Sequence, residues 1–375
     1  MGMIKEVDFS TLPRLCTEDQ VREGARNLLI NGCEIGRGTE VVILNERGLV
    51  DPAVANIIEQ ETRALGASVY VMWADGCSGP DDLPGPVMAA IKDCDVAVMN
   101  HLIAAILRLV PFAGSGLKML NFLTRWNDLG SAFARVPYRV GLDILGELGR
   151  RTAGARAWRM TCPLGTDLQA GIPRRDSRAD SGSGTGDSFT LRSFPLSVSA
   201  VFDALNASGR LAIRWVTPST TRVLQSTGVI LPDPVVAIVE QGRMVDFEGP
   251  EAAVSRLRAY LDQVGEEVGK NGYIVNSWHA GTHPGCCTDI TPQDDFFSWI
   301  LLAHGNPRVA HFHVIGAPVP GEGSVPVVDP TITFDGTAIW DRGRLTFLDE
   351  PGFRARISSY CDAEKALHPS RQIGV

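Results

Sequence analysis

The sequence predicts an α/β protein, with a parallel-sheet α/β domain over residues 1–155 followed by a β-rich α+β domain over 156–375. Three observations predict this division. Residues 40–100 alternate between strand-like and helix-like runs, the order that builds a parallel sheet with helices on its faces. From Leu211 onward, short β-rich runs are punctuated by Gly and Pro. The chain has 375 residues, 44% of them hydrophobic and 21% charged, enough for two cores of ordinary size.

The N-terminal sequence, Met-Gly-Met-Ile-Lys-Glu, has no apolar segment of signal-peptide type, and Glu6 stands where a myristoylation site needs Ser or Thr. The longest apolar stretch, Leu102 to Val110, is broken by Arg108 and is too short to span a bilayer. A cytoplasmic location without membrane contact is therefore expected. A net charge of −8 argues against a nucleic-acid partner, which needs a basic face. Eight cysteines share no repeated Cys-x-x-Cys spacing, so reduced thiols are expected, Cys286 and Cys287 included.

Glu40–Leu44 reads as the first strand. Asp51 and Pro52 supply an N-cap and a first-turn proline for a helix ending near Gly66. Ser68–Trp73 is the second strand, Pro86–Lys92 a short helix and Asp95–Met99 the third strand. The glycines at 32, 36 and 38 precede the first strand instead of following it, which excludes a dinucleotide fingerprint. Asn100-His101 directly follows the third strand, at the carboxyl end where open α/β sheets bind ligands.

The character changes near residue 157. Ala157–Leu164 reads as a strand, and the Gly- and Ser-rich run at 174–188 reads as a surface loop, alternatively a lid over a site. Leu211–Phe247 suggests hairpins, and Pro250–Val268 is an amphipathic helix with Val254, Leu257, Leu261, Val264 and Val268 on one stripe. Thr291 is expected to cap a helix ending at Gly305, which would make His304 a structural residue in its last turn. Thr331–Trp340 forms two strands around an Asp335-Gly336 turn.

Five of the seven histidines lie between His279 and His313. In a strand over Val309–Ile315, His311 and His313 point to the same face and can reach one metal or one substrate. His279 and His283 have the spacing of helical zinc motifs, but Gly281 and Pro284 oppose a helix and no Glu follows His279. A strand over Gly272–Ser277 would instead deliver His279 to the rim of a sheet. Asp329, biased to extended geometry by Pro330, could complete a site of two histidines and one carboxylate. Such a set suits non-haem Fe(II), and the same ligands could hold zinc with a bound water.

In its order of elements, the chain resembles the 2,5-dihydroxypyridine 5,6-dioxygenases and the related aminopeptidase-T-type metallo-aminopeptidases. The matching stretches are Ser193–Phe202, Phe247-Glu-Gly-Pro, Ser277-Trp-His-Ala-Gly and Val327-Val-Asp329 leading into the last hairpin. The resemblance spans roughly residues 40 to 350. It implies that His279 is an iron ligand and that a late His-x-Asp motif supplies two more. Here that motif reads Val327-Val328-Asp329, with the aspartate kept and the histidine missing. The aminopeptidases carry a ligand histidine on the preceding strand in a His-x-x-x-Gly setting, which resembles His313 before Gly316 with a spacing one residue shorter.

The resemblance therefore implies a single metal held by His279, His313 and Asp329, with His311, His283 and His101 as acid–base or substrate-orienting groups. The glutamates of a dimetal peptidase have no counterpart in 193–204 or 273–285. The expected activity is an Fe(II)-dependent oxygenase that opens a small hydroxylated aromatic or heteroaromatic ring with O2, in a homo-oligomer. The alternatives are a hydrolase using Zn, Mn or Co, and a non-catalytic relative that has lost a metal ligand.

Overall fold

The computed structural model describes residues 7–107, 112–172, 189–219, 222, 226–317 and 321–375. The run at 174–188, expected as a loop or lid, lies outside them. The described chain divides into two compact units. The first holds residues up to Gly141 and a later segment ending at Leu196; most of the remainder forms the second.

The strands of the first half are β1 (Glu40–Glu46), β2 (Ser68–Ala74), β3 (Val96–Asn100), β4 (Gly116–Asn121), β5 (Ala157–Thr161), β6 (Asp167–Gly171) and β7 (Phe189–Phe194). In the first unit they form a five-stranded sheet of order β2-β1-β3-β4-β7, with every pair parallel. The strand–helix alternation of 40–100 is borne out. Asp51 caps the helix Pro52–Ala64 by accepting from the Ala53 amide, with proline in the first turn. The parallel strands bury both faces, so β1 after Glu40 and all of β3 are buried.

At the carboxyl ends of β1, β3 and β4 stand Asn45, Asn100 and Asn121, all buried. Asn121 Nδ2 donates to Asn100 Oδ1 and Asn100 Nδ2 to Asn45 Oδ1, each at 2.8 Å. On alternate positions, Glu46 and His101 are buried together, with His101 Nδ1 3.4 Å from Glu46 Oε2.

The second unit continues with β8 (Phe202–Asp203), β9 (Ser208–Pro218), β10 (Val229–Glu240), β11 (Arg243–Glu248), β12 (Val275–Ala280), β13 (Val309–Val314), β14 (Gly323–Val328), β15 (Thr331–Phe334), β16 (Thr337–Asp341) and β17 (Arg344–Leu345). They form a 12-stranded sheet whose main path runs β17-β16-β15-β5-β6-β9-β14-β13-β12-β8, with β10 and β11 branching from β9. The amphipathic helix Glu251–Val268 ends at Gly269, whose φ of 64° is the left-handed cap that glycine adopts without cost.

Residues alternating with the histidines of β12 and β13 build an aromatic block. Trp278 stacks on Phe202 at 4.6 Å between ring centroids and meets Trp158 edge-on at 5.4 Å. Phe312 lies 6.0 Å from Trp158. Trp158, Trp278 and Phe312 are essentially inaccessible to solvent.

Two expectations are corrected here. His279 lies inside β12, which extends to Ala280, and not at a rim following it. The helix expected from Thr291 begins only at Phe296, where Asp295 accepts from the Ser298 amide, and His304 is its C-cap. Thr291 and Asp294 instead close a local turn through Thr291 Oγ1 to Asp294 Oδ2 at 2.7 Å.

Candidate metal centre

The antiparallel register of β12 and β13 creates the cluster. His279 lies directly opposite His311, Trp278 opposite Phe312, and Ser277 opposite His313. Because side chains alternate, Ser277, His279, His311 and His313 share one face while Trp278 and Phe312 take the other. Ring centroids are 4.1 Å apart for His279–His311, 4.9 Å for His279–His313 and 5.1 Å for His311–His313. One ring nitrogen from each of the three lies within 4.8 Å of the others. His311 and His313 are buried, and His279 is half-buried.

The row continues on the same face across the sheet. Ser324 of β14 lies opposite His313, and Thr217 of β9 lies opposite Ser324. His313 Nδ1 is 2.9 Å from Ser277 Oγ. A fourth imidazole comes from the helix Phe296–Ala303, whose C-cap His304 stacks on His311 at 3.9 Å with planes 22° apart.

Burial governs the electrostatics. It holds His304 down to about 3 and His311 well below the ordinary imidazole range, with neighbouring imidazoles adding to the effect. Both rings are therefore neutral at physiological pH, and a neutral imidazole is a metal ligand. His311 Nδ1 and His304 Nε2 are buried with no hydrogen-bond partner among the described residues. These two unsatisfied nitrogens, one of them on a member of the three-histidine group, fit a cation, which would use a lone pair that no described donor occupies.

Asp329, expected as the carboxylate ligand, does not join this group. Arg308 Nε and Nη2 hold its two oxygens at 2.6 and 2.8 Å, a bidentate pair that satisfies the carboxylate. Its backbone is left-handed, with φ 52°, in place of the extended geometry expected before proline. The Asp329 amide donates to Arg308 O at 2.7 Å, so main chain and side chain both fix this corner.

The other two candidates are also placed elsewhere. His283 is buried in the turn after β12, held down to about 3 by burial, and it is outside the three-histidine group. His101, in the first unit, has both ring nitrogens against main chain: Nδ1 accepts from the Ile103 amide at 3.1 Å and Nε2 lies 3.1 Å from Asp75 O. That environment leaves it no nitrogen for proton transfer to a substrate. His304 was missed in the sequence because a helix-end position explained it without any contact. No local signal could have found it, because its stacking on His311 is a tertiary contact between the helix end and β13.

No family model matches the chain, and no curated protein does. Solved structures do. The 2,5-dihydroxypyridine dioxygenase from Pseudomonas putida KT2440 is 13% identical with a TM-score of 0.57, over 87% of this chain and 96% of that one. Wild-type AmpT, an aminopeptidase T from Thermus thermophilus, is 10% identical with a TM-score of 0.54, over 88% of this chain and 99% of that one. The likeness drawn from the sequence is thus present in the structure: over most of its length the chain has the fold of these two enzymes.

Proposed function

We propose that this protein is a mononuclear metal-dependent oxygenase, with His279, His311 and His313 as the metal ligands, acting on a small hydroxylated aromatic or heteroaromatic ring. The observation that carries the reading is the convergence of three imidazoles on one sheet face, without a carboxylate in the group. The fold shared with a dioxygenase agrees with oxidative chemistry, and the same fold in an aminopeptidase keeps hydrolysis as the second reading. Fe(II) held by such ligands supplies a path for electrons between a ring hydroxyl and O2.

The chain's own residues would do the rest. His311, neutral and stacked on His304, presents a lone pair in a setting shielded from water. The half-buried His279 marks the accessible side of the cluster. The hydroxyl of Ser324, next in the row, would orient an oxygen substituent of a ring, while Thr217 Oγ1 donates to Ser324 O at 3.4 Å and braces that position. With no acid in the group among the described residues, the three imidazoles would leave the cation's charge unneutralised, which favours binding an anionic phenolate oxygen.

The test is metal analysis of anaerobically purified protein, followed by oxygen uptake with ferrous iron and hydroxypyridines. One bound iron per chain and substrate-dependent uptake are expected; absence of any transition metal would overturn the reading. A second reading, a water-activating hydrolase, draws on the same observation, because three histidines and a water are also a catalytic zinc set. Turnover under strict exclusion of O2 would select it.

A further inference from the structure

The strand bearing His279 is irregular beside His313. Val275 pairs with Val314 and Ser277 with His313, so β12 carries one extra residue, Asn276, opposite a single step of β13. Such a bulge re-aims a side chain. Asn276 is buried, and its Nδ2 donates to Gly316 O at 2.7 Å. Its Oδ1 is thereby turned to Ser277 Oγ, 2.5 Å away. Ser277, fully buried, has a single hydroxyl proton. That proton goes to Asn276 Oδ1, so toward His313 Nδ1 at 2.9 Å the serine oxygen can only accept.

Resting on the reading of His313 as a metal ligand, we infer that Ser277 and the bulged Asn276 are positioning residues that lock His313 as its Nδ1–H tautomer and so reserve the Nε2 lone pair for the cation. The opposite tautomer would need the whole relay reversed. Ser277 would donate to Nδ1, the Asn276 amide would flip, and its oxygen would face Gly316 O. That leaves a buried carbonyl without its donor, which disfavours the reversed arrangement. Metal-bound histidines usually donate their second N–H to a carboxylate, a carbonyl or water. Here a neutral hydroxyl–amide pair does this work and adds no negative charge.

The experiment uses full-length protein labelled with 15N only in histidine. Long-range proton–nitrogen correlation spectra of the metal-free protein read the tautomer directly, and Co(II) titration followed by its visible absorption reads affinity. Wild type is expected to show His313 protonated on Nδ1. Ser277→Ala should mix the tautomers and weaken Co(II) binding about 10–100-fold. Ser277→Thr, which keeps the hydroxyl, should restore the tautomer and most of the affinity. A wild-type His313 protonated on Nε2 overturns the inference, and so does Ser277→Ala with unchanged tautomer and affinity. If wild type shows the Nδ1–H tautomer but takes up no Co(II), the relay stands and the metal reading fails.

Discussion

Each unit of this protein buries histidine beside other polar groups, and the two settings differ in what they leave unsatisfied. In the first unit both ring nitrogens of His101 meet main-chain atoms, and Glu46 Oε2 accepts from the Leu102 amide at 2.9 Å. In the second, His311 Nδ1 and His304 Nε2 have no hydrogen-bond partner among the described residues although both rings are buried. A buried polar atom without a partner costs free energy that folding alone does not return. In the first arrangement both nitrogens of the imidazole are engaged, whereas the second holds imidazole nitrogens that a ligand would satisfy.

The largest test of that contrast removes a ligand. His279→Ala and His313→Ala should each lower bound metal at least about 100-fold, more than the loss of an outer partner does. Metal content after dialysis, measured by mass spectrometry, reads this, and unchanged content in both variants would end the comparison.

The next test is pH. Burial raises the Glu46 carboxyl to about 7 from an ordinary 4.5. The native state therefore keeps a proton that the unfolded chain has already released, so stability falls as pH rises from about 4.5 to about 7 and then levels off. The full loss is on the order of 3 kcal/mol. Burial lowers His101 to about 4 from 6.5, so its contribution is lost as pH falls through that window. Denaturation midpoints should fall less for Glu46→Gln than for wild type between pH 5 and pH 8. Parallel losses would show that Glu46 is not the group responsible.

A smaller effect is expected at the Arg308–Asp329 pair. Asp329→Asn should leave metal content unchanged and cost about 1 kcal/mol in urea denaturation, as a partly exposed bidentate pair does. Loss of metal in this variant would return the carboxylate to the ligand set. The smallest effect is at the satisfied histidine: His101→Gln should leave metal content at the wild-type value, and a drop would erase the distinction between the two settings.

Much of the first unit was legible because proline, N-cap and β-branched residues mark each boundary in β1, β2 and β3. The pairing of β7 with β4 was not, since partners 73 positions apart, as in Gly116 and Phe189, leave no local pattern. The His311–His313 face could be read from alternation alone. That His279 meets His311 depends on antiparallel register, which the β12 bulge shifts and no spacing reports. Asp329 misled because it lies near the histidines in sequence, whereas its charge is claimed by Arg308 at the open end of the β13–β14 pair.

The aromatic block behind the histidines has a consequence for how this site tolerates change. A slip of β12 or β13 by one residue would turn Trp278 or Phe312 onto the imidazole face and drive histidine into the apolar layer. A slip of register would therefore remove the cluster as a whole. Substitutions in that hidden layer, such as Phe312→Ala, would therefore be felt first as a mixed population of competent and dead molecules, and only later as a less active one.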